Sequence, residues 1–85
     1  MRAEEIRHHV RRRPFQPFRV FLSDGSSYDV KHPELILVAR RDVVITVELG
    51  DDDIPERLAY CDPVHITRIE PLNGQGRRRR TPRRK

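Results

Sequence analysis

Between Phe18 and Val30 the apolar residues recur every second position around an Asp24-Gly25 pair, and no other stretch of the chain restricts the fold so closely. Phe18, Val20 and Leu22 fall on one face of an extended strand, with Arg19, Phe21 and Ser23 on the other. Aspartate and glycine tolerate positive φ, so Asp24-Gly25 reads as a hairpin turn, and Tyr28 and Val30 resume the alternation on the returning strand. A chain that commits this early to a hairpin must find further strands or a helix to cover its apolar face.

The remaining sequence supplies both. Glu4 and Glu5 near the start of residues 3 to 12, and Arg11 and Arg12 near their end, suit the dipole of a short helix that Pro14 terminates. Its stripe, Ile6 and Val10, is too narrow for a free-standing helix and predicts docking onto something larger. Leu35 to Ala39 and Val43 to Val47 read as a central hairpin joined by Arg40, Arg41 and Asp42. Gly50, the acidic run Asp51 to Asp53 and Pro55 form a solvated loop, and Arg57 to Cys61 reads as an edge strand. Asp62-Pro63 punctuates the chain before a last segment, Val64 to Ile69, in which Ile69 falls out of phase and signals a bulge or a 3₁₀ step. Phe15 and Phe18, beside Pro14 and Pro17, are expected to anchor the helix to the sheet. The expected fold is α+β: a short N-terminal helix on a strongly curled antiparallel sheet or a small barrel of the SH3 or Sm kind, over residues 1–72.

Residues 73–85 belong to a different regime. Seven of the eighteen basic residues lie between Arg77 and Lys85, and no acidic residue follows Glu70. Residues 1–72 carry eleven basic and thirteen acidic side chains, a formal charge of −2, so the cationic excess of the chain resides in this tail. A segment dense in arginine and without apolar residues repels itself and has nothing to dock, so a disordered tail is expected. Arg77, Arg78, Arg79, Arg80, Arg83, Arg84 and Lys85 are the candidate phosphate contacts, through charge-assisted and bidentate hydrogen bonds. Arg11, Arg12 and Arg13, with Arg7 one turn earlier, are weaker candidates, since cations at a helix C-terminus are favourable without any ligand. Arg40 and Arg41 add to the set, diluted by Asp42. No aromatic residue interleaves with the tail, which favours electrostatic association over base stacking.

The run Arg13-Pro14-Phe15-Gln16-Pro17-Phe18-Arg19, then Leu22-Ser23-Asp24-Gly25, Tyr28, Val30, His32-Pro33-Glu34 and His65-Ile66-Thr67-Arg68-Ile69-Glu70, resembles a family of small bacterial proteins frequent in planctomycete-like genomes. The likeness covers residues 4 to 72 and implies a soluble bacterial protein and no particular chemistry. The hairpin alone is also similar to the first strands of Sm-like and SH3-like barrels.

Other chemistry finds little footing. The single Cys61 excludes an intramolecular disulfide and lies in no nucleophile motif, so it reads as a small buried hydrophobe. His8 and His9 point about 100° apart on a helix, and His32 and His65 have no sequence-close partner, so no metal or cofactor is expected. Phosphate-loop, GxSxG and HExxH patterns are missing from the sequence. No apolar run reaches signal-peptide or membrane-span length, which points to a cytoplasmic protein. The sequence therefore predicts a noncatalytic accessory protein whose basic tail associates with DNA or RNA without sequence specificity, the alternative being a protein-interaction module. It leaves the oligomeric state open.

Overall fold

The structure is a computed structural model that describes residues 1–72. Helix α1 spans Ala3–Arg11 and is followed by strands β1 (Phe18–Leu22), β2 (Ser27–Val30), β3 (Ile36–Val38), β4 (Val43–Leu49), β5 (Pro55–Cys61) and β6 (Ile66–Pro71). The expected disorder of residues 73–85 lies outside the described residues.

The α+β composition is as expected, but the strands do not form one curled sheet or a closed barrel. They divide into two antiparallel three-stranded sheets, ordered β2-β1-β6 and β3-β4-β5. The division falls at two X-Pro turns. His32-Pro33 opens a 3₁₀ turn, Pro33–Leu35, that carries the chain from β2 into the second sheet, and Asp62-Pro63 opens another, Pro63–His65, that returns it from β5 to β6. Proline has no N–H to donate and a fixed φ, so each ladder stops there. The Asp62 carboxylate accepts the Val64 N–H at 3.0 Å and fixes the second turn. Val64 and His65, read from the sequence as part of the last segment Val64 to Ile69, thus sit in a 3₁₀ turn before β6.

The hairpin that dominates the sequence forms as read. Phe18 pairs with Val30 and Val20 with Tyr28. The Gly25 N–H donates to Leu22 O and the Leu22 N–H donates to Ser26 O, so the turn closes with Gly25, and not Asp24, in positive φ at +91°. Asp24 Oδ1 accepts from both the N–H and the hydroxyl of Ser26, which locks the corner. β6 pairs with the other edge of β1, with a register shift between Phe21 and Leu22 that answers the phase slip at Ile69. β3 and β4 pair as the second expected hairpin, but it is not central: β3 is shortened to Ile36–Val38 by the turn that takes Leu35 and forms one edge, and β5 forms the other edge beside β4.

The core is shared by both sheets and the helix. Ile6, Phe18, Val20, Val30, Ile36, Val43, Ile45, Cys61 and Ile66 form one buried cluster, with Val10, Phe15 and Tyr28 among the partly buried residues packed against it. Ile6 docks α1, while the rings of Phe15 and Phe18 stand 5.8 Å apart and tie the helix connection to β1. The Glu5 carboxylate accepts the Arg2 N–H at the helix start, and the Met1 ammonium donates to Pro63 O and Ile66 O, fastening that end beside β6.

Val20 is completely buried and Leu37 is mostly exposed. Val20→Asp places a carboxylate in the shared core, a cost of about 3 kcal/mol or more, which a body this small cannot absorb. Circular dichroism is expected to show an unfolded Val20→Asp chain and a native-like Leu37→Asp chain.

Candidate nucleic-acid interface

The three arginines of the sheets are each occupied by a carboxylate. Arg19 forms a forked pair with Asp29 at 2.6 and 3.2 Å, Arg68 bonds Glu70 at 2.7 Å while lying 3.8 Å above the Phe21 ring, and Arg57 lies 4.0 Å from Glu48. Arg2, Arg7, Arg11, Arg12, Arg13, Arg40 and Arg41 make no ion pair among the described residues. These seven belong to the helical segment and to the turn between β3 and β4.

The fold brings several of them together. Arg2, Arg40 and Arg41 line one open groove with Glu4, Glu5 and Asp62, and Arg7 and Arg40 line a second with Ala3, Glu4 and Val38. Arg11 stands four residues beyond Arg7 and therefore on the same helix face. Arg12 caps the helix in extended conformation, and the Arg13 guanidinium donates to Val10 O and Arg12 O at 3.0 and 2.8 Å, closing the helix end over its own carbonyls. The sequence candidates in the body, Arg7, Arg11, Arg12, Arg13, Arg40 and Arg41, are all exposed, and Arg13 in addition bonds the helix end. Arg2 escaped the sequence reading because only the packing of α1 beside the β3–β4 turn places it near Arg40 and Arg41. Arg77, Arg78, Arg79, Arg80, Arg83, Arg84 and Lys85 lie outside the described residues.

The opposite end of the body is acidic. β4 runs for seven residues, roughly 23 Å, between the turn holding Arg40 and Arg41 and the turn holding Asp51, Asp52 and Asp53. Glu48 and Glu56 lie beside this acidic turn, whereas at the other end Glu4, Glu5, Asp42 and Asp62 stand among Arg2, Arg7, Arg40 and Arg41.

A smaller cleft of about 290 Å³ gathers Ser23, Asp24, Tyr60, Cys61, Asp62 and His65. Ser23 Oγ and His65 Nδ1 are 3.2 Å apart. The rest of the cleft does not complete a nucleophile. Burial, and secondarily the Asp24 charge, pushes the Cys61 thiol up and keeps it neutral. The Asp24 carboxyl is held below the ordinary carboxylate range by the hydroxyl and N–H of Ser26, so it serves its turn. Among the described residues no three His, Cys, Asp or Glu side chains are grouped to hold a metal ion. Among them, too, no helix is long and apolar enough to cross a membrane. No protein-family model, curated protein or solved structure matches the chain.

His9 couples this helix to the core. Its ring packs 5.7 Å from that of Phe18 and 6.0 Å from His8. Burial, then the neighbouring His8 and Arg12, lowers its pKa from the ordinary 6.5. The folded state therefore binds the His9 proton less readily than the unfolded state. This contribution is intact above about pH 6.5 and is lost as pH falls through that value toward the lowered one. Thermal melts between pH 8 and pH 5 are expected to show the melting temperature falling on the acid side, with a shallower fall in His9→Gln.

Proposed function

We propose that this chain is a small noncatalytic accessory protein, acting in the cytoplasm, whose basic C-terminal segment associates with the phosphate backbone of DNA or RNA without sequence specificity. The observation that carries this reading is the placement of seven basic residues between Arg77 and Lys85 with no carboxylate after Glu70. Guanidinium groups at that density bind phosphate oxygens by charge and forked hydrogen bonds, and counterion release supplies most of the free energy. The exposed arginines of the body, Arg2, Arg7, Arg11, Arg12, Arg40 and Arg41, support it as a secondary surface, weakened by Glu4, Glu5 and Asp62 in the same groove.

A second reading, a protein-interaction module, is favoured by the apolar side chains that the second sheet leaves in solvent, Leu37, Leu58 and Tyr60.

Filter binding or fluorescence anisotropy on mixed duplex DNA and on structured RNA separates the two. The full chain is expected to bind with a log-log salt slope of up to about −6, and a chain ending at Leu72 to lose most of the affinity. Equal binding by both chains would move the site to the body, and no binding by either at physiological salt would refute the nucleic-acid reading.

A further inference from the structure

The register of the first sheet brings three chain segments to one end of the body. Phe18 opens β1 opposite Val30, the last residue of β2, and opposite Pro71, the last residue of β6. Pro17, Lys31 and Leu72 therefore flank the sheet at the same end, and the Leu72 N–H donates to Pro17 O at 2.8 Å. The last turn of α1 joins them, because the His9 and Phe15 rings stand 5.7 and 5.8 Å from that of Phe18. Arg11, Arg12 and Arg13 are thus carried to the end that holds Lys31 and the residue from which the sequence runs on toward Arg77.

Here the charges do not cancel. Arg11, Arg12, Arg13 and Lys31 are exposed and make no ion pair among the described residues. Of the carboxylates nearby, Asp29 is taken by Arg19 and Glu70 by Arg68, which leaves Glu34 in the turn after β2. The other end of α1 differs, since Arg2, Arg7, Arg40 and Arg41 stand there among Glu4, Glu5, Asp42 and Asp62. The helix dipole accounts for Arg11 and Arg12 but not for Lys31, which arrives from a strand. An excess of cations drawn from two elements is an electrostatic footprint for a polyanion.

Leu72 and Arg77 are five residues apart, so covalent geometry keeps Arg77 within roughly 18 Å of Leu72. Pro17 is likewise five residues from Arg12. One phosphate backbone can therefore meet both basic groups. The rings at this end are already engaged, for Phe18 is buried and Phe15 and His9 pack against it. A site of charges without stacking favours the duplex, whose two strands give the higher charge density and release more counterions per contact.

We infer, on the basis of the nucleic-acid reading, that Arg11, Arg12, Arg13 and Lys31 form one composite site with the segment from Arg77 to Lys85, and that its ligand is the phosphate backbone of a nucleic-acid duplex. Arg13 also donates to Val10 O and Arg12 O, which closes the helix end and leaves its charge in place.

Fluorescence anisotropy of the full chain on a short mixed-sequence DNA duplex and on one of its separated strands tests this site. Two variants remove equal charge: Arg11→Gln with Arg12→Gln and Lys31→Gln, and Arg2→Gln with Arg40→Gln and Arg41→Gln. All six side chains are exposed, so both variants are expected to keep native-like circular dichroism. The unsubstituted chain is expected to bind the duplex more tightly than the strand. The first variant is expected to bind the duplex about tenfold or more weakly, with a log-log salt slope shallower by about two, and the second to lose less than about threefold. Equal losses from the two variants, or a first variant that binds like the unsubstituted chain, would overturn the composite site while leaving the basic segment as the ligand-binding element. Binding to the single strand as tight as to the duplex would overturn the choice of ligand. No binding by the unsubstituted chain would refute the site and the nucleic-acid reading together.

Discussion

Two three-stranded sheets hold together here because their inner faces and one helix share a single apolar cluster. Everything else in the body depends on that sharing. Phe18, Val20, Val30 and Ile66 come from one sheet, Ile36, Val43, Ile45 and Cys61 from the other, and Ile6 from the helix. No element can be withdrawn without opening the core of the rest. The two X-Pro turns make the arrangement possible, since each ends a ladder and hands the chain to the opposite sheet.

Much of this was legible in the sequence, and the reasons differ by element. The β1–β2 and β3–β4 hairpins were readable because alternation and turn chemistry are local, and because both strands of each pair are neighbours in the chain. The helix was readable from its charged ends and from Pro14. The partition into two sheets was not. It depends on β6 returning to pair with β1, a contact between distant segments that no local pattern encodes. Asp62-Pro63 was recognised as a break, but its equivalence to His32-Pro33 emerges only when both are seen to join the same two sheets. The same limit applies to charge. The cationic run from Arg77 to Lys85 is plain in the sequence, whereas the grouping of Arg2 and Arg7 with Arg40 and Arg41 requires α1 to lie beside the β3–β4 turn.

The body keeps its charges away from its core and sorts them. Among the described residues no charged or polar side chain is buried, and the sheet arginines are quenched by Asp29, Glu48 and Glu70. The arginines left unpaired lie on the helical segment and one turn, among Glu4, Glu5, Asp42 and Asp62, and Asp51, Asp52 and Asp53 lie in the turn at the other end of β4. The Ser23 and His65 contact fits the same picture, since it links the β1–β2 turn to the 3₁₀ turn before β6, and the N–H of Ser23 donates to His65 O as well.

We propose that the shared apolar core serves as a carrier for basic side chains, and that these meet a polyanion. An ¹⁵N NMR titration of the full chain with a short DNA duplex at low salt tests it residue by residue. Shifts are expected to concentrate in residues 77–85, with smaller shifts at Arg2, Arg7, Arg11, Arg12, Arg40 and Arg41, and none at Val20 or Ile45. Shifts centred on the Leu37, Val44 and Tyr60 face, with residues 77–85 unmoved, would contradict it.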